Sequence, residues 1–226
     1  MAVLFDLDGT LTDPKVGIVR SIQFALDRMD ATVPGDDDLD WCIGPPLYGS
    51  FVGILGTEDP AIIAEAIRLY RLRFSEIGLF ENVVYPGVPA CLARLREEDL
   101  PLYVATSKPL PFALRILERF ELKGFFAGVY GSELDGRLSA KGELIAHLFE
   151  REGLSPRETI MVGDREHDVI GARENGVPCI GVTYGYGSPE ELDEAGAAAL
   201  CARPEDLAQA VLDLQASLAL SCGWRR

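Results

Sequence analysis

Short apolar runs alternate with amphipathic segments over most of the chain. The apolar runs are typical of buried strands and fall at residues 3–5, 102–105, 128–130, 160–162, 179–182 and 198–200. Segments with apolar residues at helical spacing lie between them or follow the last one, near residues 88–98, 112–120, 141–152, 166–175 and 205–218. Because strands separated by helices are joined by right-handed crossovers, the pattern predicts an α/β protein with a doubly wound parallel sheet.

Residues 15–83 interrupt this alternation, because they contain only helical patterns. Asp13 and Pro14 form a typical helix start, and residues 60–74 carry apolar side chains at helical spacing. Strands resume only beyond Tyr85-Pro86-Gly87. The pattern therefore predicts a helical insertion at 15–83, within a core formed by residues 1–14 and 84–226.

Composition limits the classes of partner. The 226 residues are 48% hydrophobic and 25% charged, as in an ordinary globular protein, and the formal net charge is −15. This charge repels polyanions, so we expect no nucleic acid partner. A small anionic substrate remains compatible with it if local cations reverse the field within the site.

The cysteines and the hydropathy favour a cytoplasmic location. Five widely spaced cysteines without a C-x-x-C pair indicate neither a disulfide framework nor a zinc site, and most are expected to be buried. We see no signal-peptide pattern and no apolar run of about 18 residues, so no membrane partner is expected.

Two carboxylates, Asp6 and Asp8, directly follow the first apolar run. If the chain stays extended, both side chains point to the same face. Two like charges this close need a cation, a shared proton or a catalytic role. The alternative is that Asp8 and Gly9 simply form a polar turn.

Further polar groups follow other strands. Thr106-Ser107-Lys108 offers hydroxyl and ammonium donors, and the 160–162 strand is followed by Gly163-Asp164, with Asp168 nearby. Since ligands bind outside the carboxyl ends of such sheets, we expect these groups to converge. The alternative reading of Thr106, Ser107, Asp164 and Asp168 is helix capping.

Lys141 opens a helix, where a cation opposes the helix dipole by about 0.3–1 kcal/mol. An anionic ligand and a carboxylate would compensate for this cost. The alternative is a lysine whose ammonium extends into water.

These motifs, taken in order, resemble the four motifs of the haloacid dehalogenase superfamily. They are Asp6-Leu7-Asp8-Gly9-Thr10, Thr106-Ser107-Lys108, Lys141, and Gly163-Asp164 with Asp168. The resemblance covers essentially the whole chain and is greatest to phosphoglycolate phosphatase-like members. It implies a Rossmann-like core, in which residues 15–83 form the inserted α-helical cap.

The resemblance also implies a role for each matching residue. Asp6 would be the nucleophile and Asp8 the general acid and base. Mg²⁺ would be held by the carboxylates of Asp6 and Asp164, by the backbone carbonyl of Asp8, and by Asp168 directly or through water. The phosphoryl group would be held by Thr106, Ser107 and Lys141.

The implied activity is that of a Mg²⁺-dependent phosphatase, which hydrolyses a small-molecule phosphomonoester through an aspartyl-phosphate. Asp8 argues against a dehalogenase, because dehalogenases of the superfamily lack the second acid. Specificity is expected from the cap turn at Gly44, Pro45 and Leu47, whose alternative reading is a tight connection between helices. We expect a monomer or small homo-oligomer.

Several other functions remain open. Within the superfamily these are a 5'-nucleotidase, a protein-tyrosine phosphatase and, less favoured, a phosphosugar mutase. Outside it, the same residue types occur in phospho-receiver modules of signalling proteins, and an inactive binding module would also retain the fold.

Overall fold

The computed structural model describes residues 1–221, and its centre is a parallel sheet of six strands. In chain order the strands are β1 (Ala2–Phe5), β2 (Thr12–Asp13), β3 (Val83–Val84), β4 (Leu102–Pro109), β5 (Gly128–Ser132), β6 (Thr159–Gly163), β7 (Cys179–Val182) and β8 (Ala199–Cys201). The sheet has the order β5-β4-β1-β6-β7-β8, so the first strand is central.

Nine α-helices lie within the described residues. They are α1 (Lys15–Arg28), α2 (Leu47–Leu55), α3 (Pro60–Phe74), α4 (Val88–Glu97), α5 (Leu110–Arg119), α6 (Lys141–Glu152), α7 (Glu166–Glu174), α8 (Pro189–Ala195) and α9 (Pro204–Ser221). None of the helices in this part of the chain is long and apolar enough to cross a membrane.

Both faces of the central strand are buried, which explains why its sequence is a continuous apolar run. Val3 and Phe5 belong to one hydrophobic core, whereas Ala2 and Leu4 belong to a second core that includes residues of α6 and α7. Continuous apolar runs are expected where helices cover both faces of a parallel sheet. The predicted doubly wound α/β fold is confirmed.

The helical insertion leaves the core through a short antiparallel ribbon. Strand β2 pairs with β3, with Thr12 opposite Val84, and helices α1, α2 and α3 lie between them in the chain. The inserted helices pack on one another and share the first core with Val3 and Phe5. Residues 15–83 as the exact extent of the cap remain a prediction.

Two local expectations from the sequence differ from the structure. Strand β4 continues to Pro109, so Thr106, Ser107 and Lys108 lie within its irregular end, where the register shifts against β5, rather than after the strand. The sequence pattern also missed α8, a helix of only seven residues, too short to show apolar periodicity.

The cysteines within the described residues are all free and buried, as expected for small apolar side chains; they are Cys42, Cys91, Cys179 and Cys201. Cys222 lies outside the described residues.

Candidate active site

The first strand delivers two buried acids to the carboxyl edge of the sheet. Asp6 directly follows β1, and its backbone N–H donates to the carbonyl of Val162 at 2.9 Å. Asp6 is 4% exposed and Asp8 is 7% exposed. The strand ends at Phe5, so the acids do not extend it but lie on the turn that follows.

Glycine is required in this turn. Gly9 has a φ of +81°, and a Cβ at this position would lie 2.1 Å from Oδ2 of Asp164. Thr10 donates a hydrogen bond from its hydroxyl to Oδ1 of Asp164 at 3.2 Å, and the backbone N–H of Tyr186 donates to Oδ2 at 2.9 Å. The turn after β1 and the loop after β7 therefore enclose the Asp164 carboxyl group.

Lys141 connects two of the acids from the first turn of α6. Its ammonium lies 2.8 Å from Oδ1 of Asp6 and 2.7 Å from Oδ1 of Asp168, and it donates to the carbonyl of Ala105 at 2.9 Å. Burial disfavours the charged ammonium, but the carboxylates of Asp168 and Asp6 outweigh it and raise the pKa of Lys141. A cation at this helix start is thus stabilised by the two carboxylates.

Three carboxyl groups form a buried cluster suited to a metal ion. One oxygen each of Asp6, Asp164 and Asp168 lies within 4.8 Å of the others. Burial, followed by the negative charges of Asp168 and Asp6, raises the pKa of Asp164 well above its ordinary value. Oxygen ligands of this kind suit Mg²⁺.

The balance of charges at this edge of the sheet also favours a cation site. Four buried carboxyl groups, including that of Asp8, are accompanied by the two ammonium groups of Lys141 and Lys108. With all four groups ionised, two negative charges would be left without a cation among the residues that the structure describes at this edge. A divalent cation would balance them, so the donor set fits Mg²⁺ in charge as well as in ligand type.

The carboxyl group of Asp8 does not belong to this cluster. Its Oδ2 lies 2.7 Å from the ammonium of Lys108, and Oδ1 has no hydrogen-bond partner within the described part of the chain. Burial raises the pKa of Asp8, and the Lys108 ammonium opposes that shift. The carboxyl group of Asp8 is thus paired with Lys108 and borders the cavity, apart from the other three acids.

Thr106 and Ser107 lie beside these acids. The register of β1 and β4 places Phe5 next to Val104, so Asp6 and Thr106 leave neighbouring strands at the same edge. Thr106 is buried and accepts a hydrogen bond from the backbone N–H of Lys108 at 3.2 Å, while Ser132 donates to the carbonyl of Ser107 at 2.8 Å. Thr106 and Ser107 are thus held by local contacts next to the acids.

A cavity of about 670 Å³ opens from Asp8 between the sheet edge and the inserted helices. Its apolar wall consists largely of Leu47, Tyr48, Ile67, Tyr70, Phe74 and Phe112. Gly44, Pro45 and Leu47, the three residues expected to govern specificity, lie along this cavity. Leu47 also begins α2, so the turn is at the same time a connection between helices.

Arg165 links this turn to the core through hydrogen bonds. Its guanidinium donates to the carbonyl of Ile43 at 2.7 Å and to Glu191 at 2.9 Å. Gly44 has a φ of +100°, and a Cβ there would approach Cγ of Arg165 to 3.0 Å. The residue next to Asp164 therefore positions a turn that is distant in sequence.

Sequence reasoning missed four contributors to the site. Thr10 and Lys108 were visible within motifs, but their contacts to Asp164 and Asp8 were not predicted, because these partners come from distant parts of the chain. Tyr186 acts through its backbone, and Arg165 through a contact to a carbonyl, so neither leaves a signal in residue type.

Comparison with known proteins finds relatives that match most of this chain. A 5'-nucleotidase of Pseudomonas aeruginosa is 50% identical over 84% of this chain and 86% of its own length. A phosphoglycolate phosphatase of Escherichia coli is 27% identical over 96% of this chain and 92% of its own length. A tyrosine-protein kinase, PtkA of Mycobacterium tuberculosis, is 38% identical over 85% of this chain and 65% of its own length.

A solved structure resembles the whole fold. The crystal structure of a predicted phosphatase from Clostridium acetobutylicum is 44% identical, with a TM-score of 0.91 over 94% of this chain and 98% of that chain. Residues 3–182, well over half of the chain, match the family described as Haloacid dehalogenase-like hydrolase. The resemblance inferred from the motifs is confirmed, and the chain belongs to the haloacid dehalogenase-like hydrolases.

Proposed function

We propose that the protein is a Mg²⁺-dependent phosphatase that hydrolyses a small-molecule phosphomonoester through an aspartyl-phosphate on Asp6. A phosphoric monoester hydrolase is what the family and the names of its relatives support. The observation that carries the proposal is the buried cluster of Asp6, Asp164 and Asp168 next to Lys141, in a site whose neighbouring acid Asp8 borders a cavity.

The first half-reaction divides the work between two acids. A carboxylate oxygen of Asp6 attacks phosphorus while the bond from phosphorus to the leaving oxygen breaks. Asp8, which borders the cavity, gives its proton to that leaving oxygen. Lys141, Thr106 and the backbone at Ser107 hold the phosphoryl oxygens, a kind of contact typically worth about 10²–10³ in rate.

The second half-reaction restores the enzyme. Asp8 is now a carboxylate and takes a proton from a water molecule as this water attacks the phosphorus of the aspartyl-phosphate. The phosphorus–oxygen bond to Asp6 breaks, phosphate is released and Asp6 is again a carboxylate. One acid thus alternates between proton donor and proton acceptor.

Asp6, Asp164, Asp168 and the backbone carbonyl of Asp8 would hold the Mg²⁺ ion. When bound, Mg²⁺ neutralises the phosphoryl oxygens and allows the buried carboxylates to remain ionised next to one another.

The cavity favours a substrate with a bulky leaving group. Its volume of about 670 Å³ lies in the range that accommodates a drug-sized ligand, whereas phosphoglycolate would fill a small part of it. Tyr48, an exposed residue of the cavity wall, offers an aromatic face, and stacking on a nucleobase contributes about 1–3 kcal/mol per base. We therefore favour a nucleoside 5'-monophosphate, and the name of the Pseudomonas aeruginosa relative supports this choice.

Phosphate release from 4-nitrophenyl phosphate tests the reaction class. We expect turnover with Mg²⁺ that is lost with EDTA and in Asp6→Asn. Activity that survives in Asp6→Asn would contradict the mechanism, and a lack of activity on every phosphomonoester would leave only a binding role.

A panel of substrates tests the choice of leaving group. We expect kcat/KM for nucleoside 5'-monophosphates to exceed that for phosphoglycolate, because only the former fills the apolar part of the cavity. A preference for phosphoglycolate would reverse this choice without affecting the reaction class. Rapid isomerisation of β-glucose 1-phosphate would instead identify a mutase.

A further inference from the structure

Lys108 is a buried cation that contacts Asp8 but none of the three clustered carboxyl groups of Asp6, Asp164 and Asp168. The side chains of Lys108 and Asp8 are 5% and 9% exposed, and the ammonium lies 2.7 Å from Oδ2 of Asp8. The irregular end of β4 turns Lys108 toward the cavity, where both residues form part of the wall. The pair therefore stands where the leaving group would lie.

The contact leaves the two oxygens of Asp8 in different states. Oδ2 is held by the ammonium, whereas Oδ1 has no partner among the described residues although it is buried. A carboxyl group fixed through one oxygen has lost most of its rotational freedom, so the other oxygen is held in one direction. Oδ1 is then the oxygen of Asp8 whose hydrogen-bonding capacity is unused.

The ammonium of Lys108 also contacts the inserted helices. It lies 4.7 Å from the ring centroid of Phe74 near the end of α3. Phe74 is itself fixed, because it stacks on Tyr70 and packs edge-on against Phe112 of α5. A cation over an aromatic face is attracted to the electrons of the ring. The lysine is thus held between a core acid and a ring of the cap.

We propose that Lys108 is a positioning residue, which directs Oδ1 of Asp8 at the leaving oxygen. Because Lys108 also contacts Phe74, this alignment depends on how the cap packs on the core. The inference rests on the proposed phosphatase function. In the step concerned, the proton on Oδ1 passes to the leaving oxygen as its bond to phosphorus breaks. The resulting Asp8 carboxylate keeps the ammonium as its counter-ion.

Two esters of similar size distinguish a role of Lys108 in protonation of the leaving group from an effect on activity as a whole. 4-Nitrophenyl phosphate releases a stabilised phenolate that needs no proton, whereas benzyl phosphate releases an alkoxide that does. The quantity to compare is kcat/KM, because it reports on the steps up to departure of the leaving group. The variants are Lys108→Met, the conservative Lys108→Arg, and Lys123→Met as a control at an exposed lysine.

For Lys108→Met we expect kcat/KM on benzyl phosphate to fall about 100-fold, the scale of general acid catalysis, and on 4-nitrophenyl phosphate by less than about 5-fold. Lys108→Arg should recover part of the loss, and Lys123→Met should match the wild type on both esters. The 4-nitrophenyl activity of Lys108→Met also reports that the variant is folded. Phe74→Leu keeps an apolar side chain without the ring, and it should show the same selective loss to a smaller degree.

An equal loss on both esters, or no loss on either, would overturn this role for Lys108 and leave the phosphatase intact. A wild-type protein without activity on either ester would overturn the proposed function and this role together. A selective loss in Lys108→Met without any in Phe74→Leu would overturn the dependence on the cap.

Discussion

At the scale of single residues, the site contains buried carboxyl groups that repel one another. Asp164 accepts hydrogen bonds from Thr10 and from the backbone of Tyr186, but no cation within the described residues pairs with it. Asp164 is 1% exposed, and burial raises the pKa of its carboxyl group. Without a metal ion, this residue should therefore destabilise the fold.

Asp164→Asn should raise the stability of the metal-free protein while removing its response to Mg²⁺. Relief of the buried charge by about 1 kcal/mol corresponds to about 2–4 °C in Tm for a chain of this size. In the wild type, Mg²⁺ at about 100 times its Kd should add about 2.7 kcal/mol, because it binds the folded state.

Thermal unfolding with Mg²⁺ and with EDTA measures both effects. Asp193→Asn, at an exposed acid of α8, should behave as the wild type does. An Asp164→Asn protein that Mg²⁺ still stabilises fully would exclude Asp164 as a ligand.

Gly9 and Gly136 form a matched pair for the turn after β1. Both have positive φ, +81° and +93°, but only a Cβ at Gly9 would collide with Asp164, since no atom lies within 4 Å of one at Gly136. Gly136→Ala should cost about 1–2 kcal/mol through its backbone conformation alone. Gly9→Ala should cost more and also abolish activity, because the carboxyl group of Asp164 has to move.

Urea unfolding and phosphatase assays on the two glycine variants distinguish the cost of the backbone conformation from the effect of a clash between Cβ and Asp164. Comparable losses of stability, with activity kept in Gly9→Ala, would show that the turn does not fix Asp164.

At the scale of elements, Arg165 ties the loop after β6 to the turn that precedes α2. Arg165→Gln should free the carbonyl of Ile43 and loosen the turn at Gly44, Pro45 and Leu47. We expect KM for a nucleoside 5'-monophosphate to rise about 10-fold, which corresponds to about 1.4 kcal/mol of binding. The Mg²⁺ concentration needed for half-maximal activity should stay the same.

Steady-state kinetics on Arg165→Gln, with Arg203→Gln as a control at an exposed arginine of the core, measure these constants. A changed requirement for Mg²⁺ at unaltered KM would mean that Arg165 supports the metal site rather than the turn.

Glu81 lies where the chain returns from the cap to the core. It pairs with Arg73 at 2.8 Å and with Arg20 at 3.0 Å, and the hydrogen bond from Arg73 is the main reason that its pKa lies below the ordinary value of 4.5. A carboxyl group with a lowered pKa in the folded state stabilises the fold above its unfolded pKa. This contribution disappears as the pH falls through the folded pKa.

Glu81→Gln should therefore lower Tm at neutral pH, and the difference from the wild type should close as the pH falls below 4.5. Thermal unfolding between neutral and acidic pH measures this difference. A difference that stays constant over that interval would mean that the ion pairs add no stability.

At the scale of the whole molecule, the sequence predicts the core well because its periodicities are long and regular. The boundaries predicted for α3 and α6 agree with the structure to the residue, since apolar positions repeat over several turns. Strands β2 and β3 were not predicted, because two residues each cannot show an alternation.

The candidate site likewise has a part that the sequence predicts and a part that it does not. Asp6 and Asp164 directly follow strands, so their presence at one edge follows from the strand ends. Lys141 opens a helix, and its place in the site was implied by the family resemblance. The pairing of Lys108 with Asp8 joins two distant parts of the core, and the contact of Arg165 with Ile43 joins the core to the cap. No local pattern encodes these contacts, so they required the structure.

The central claim is that Asp6 carries the phosphoryl group during turnover. Asp8→Asn should form the intermediate from 4-nitrophenyl phosphate, whose leaving group needs no proton, but hydrolyse it slowly for want of a base. Rapid acid quench followed by peptide mass spectrometry should then find a phosphoryl group on Asp6 in Asp8→Asn, and none in Asp6→Asn. Phosphate on another residue, or turnover by Asp6→Asn, would contradict the account.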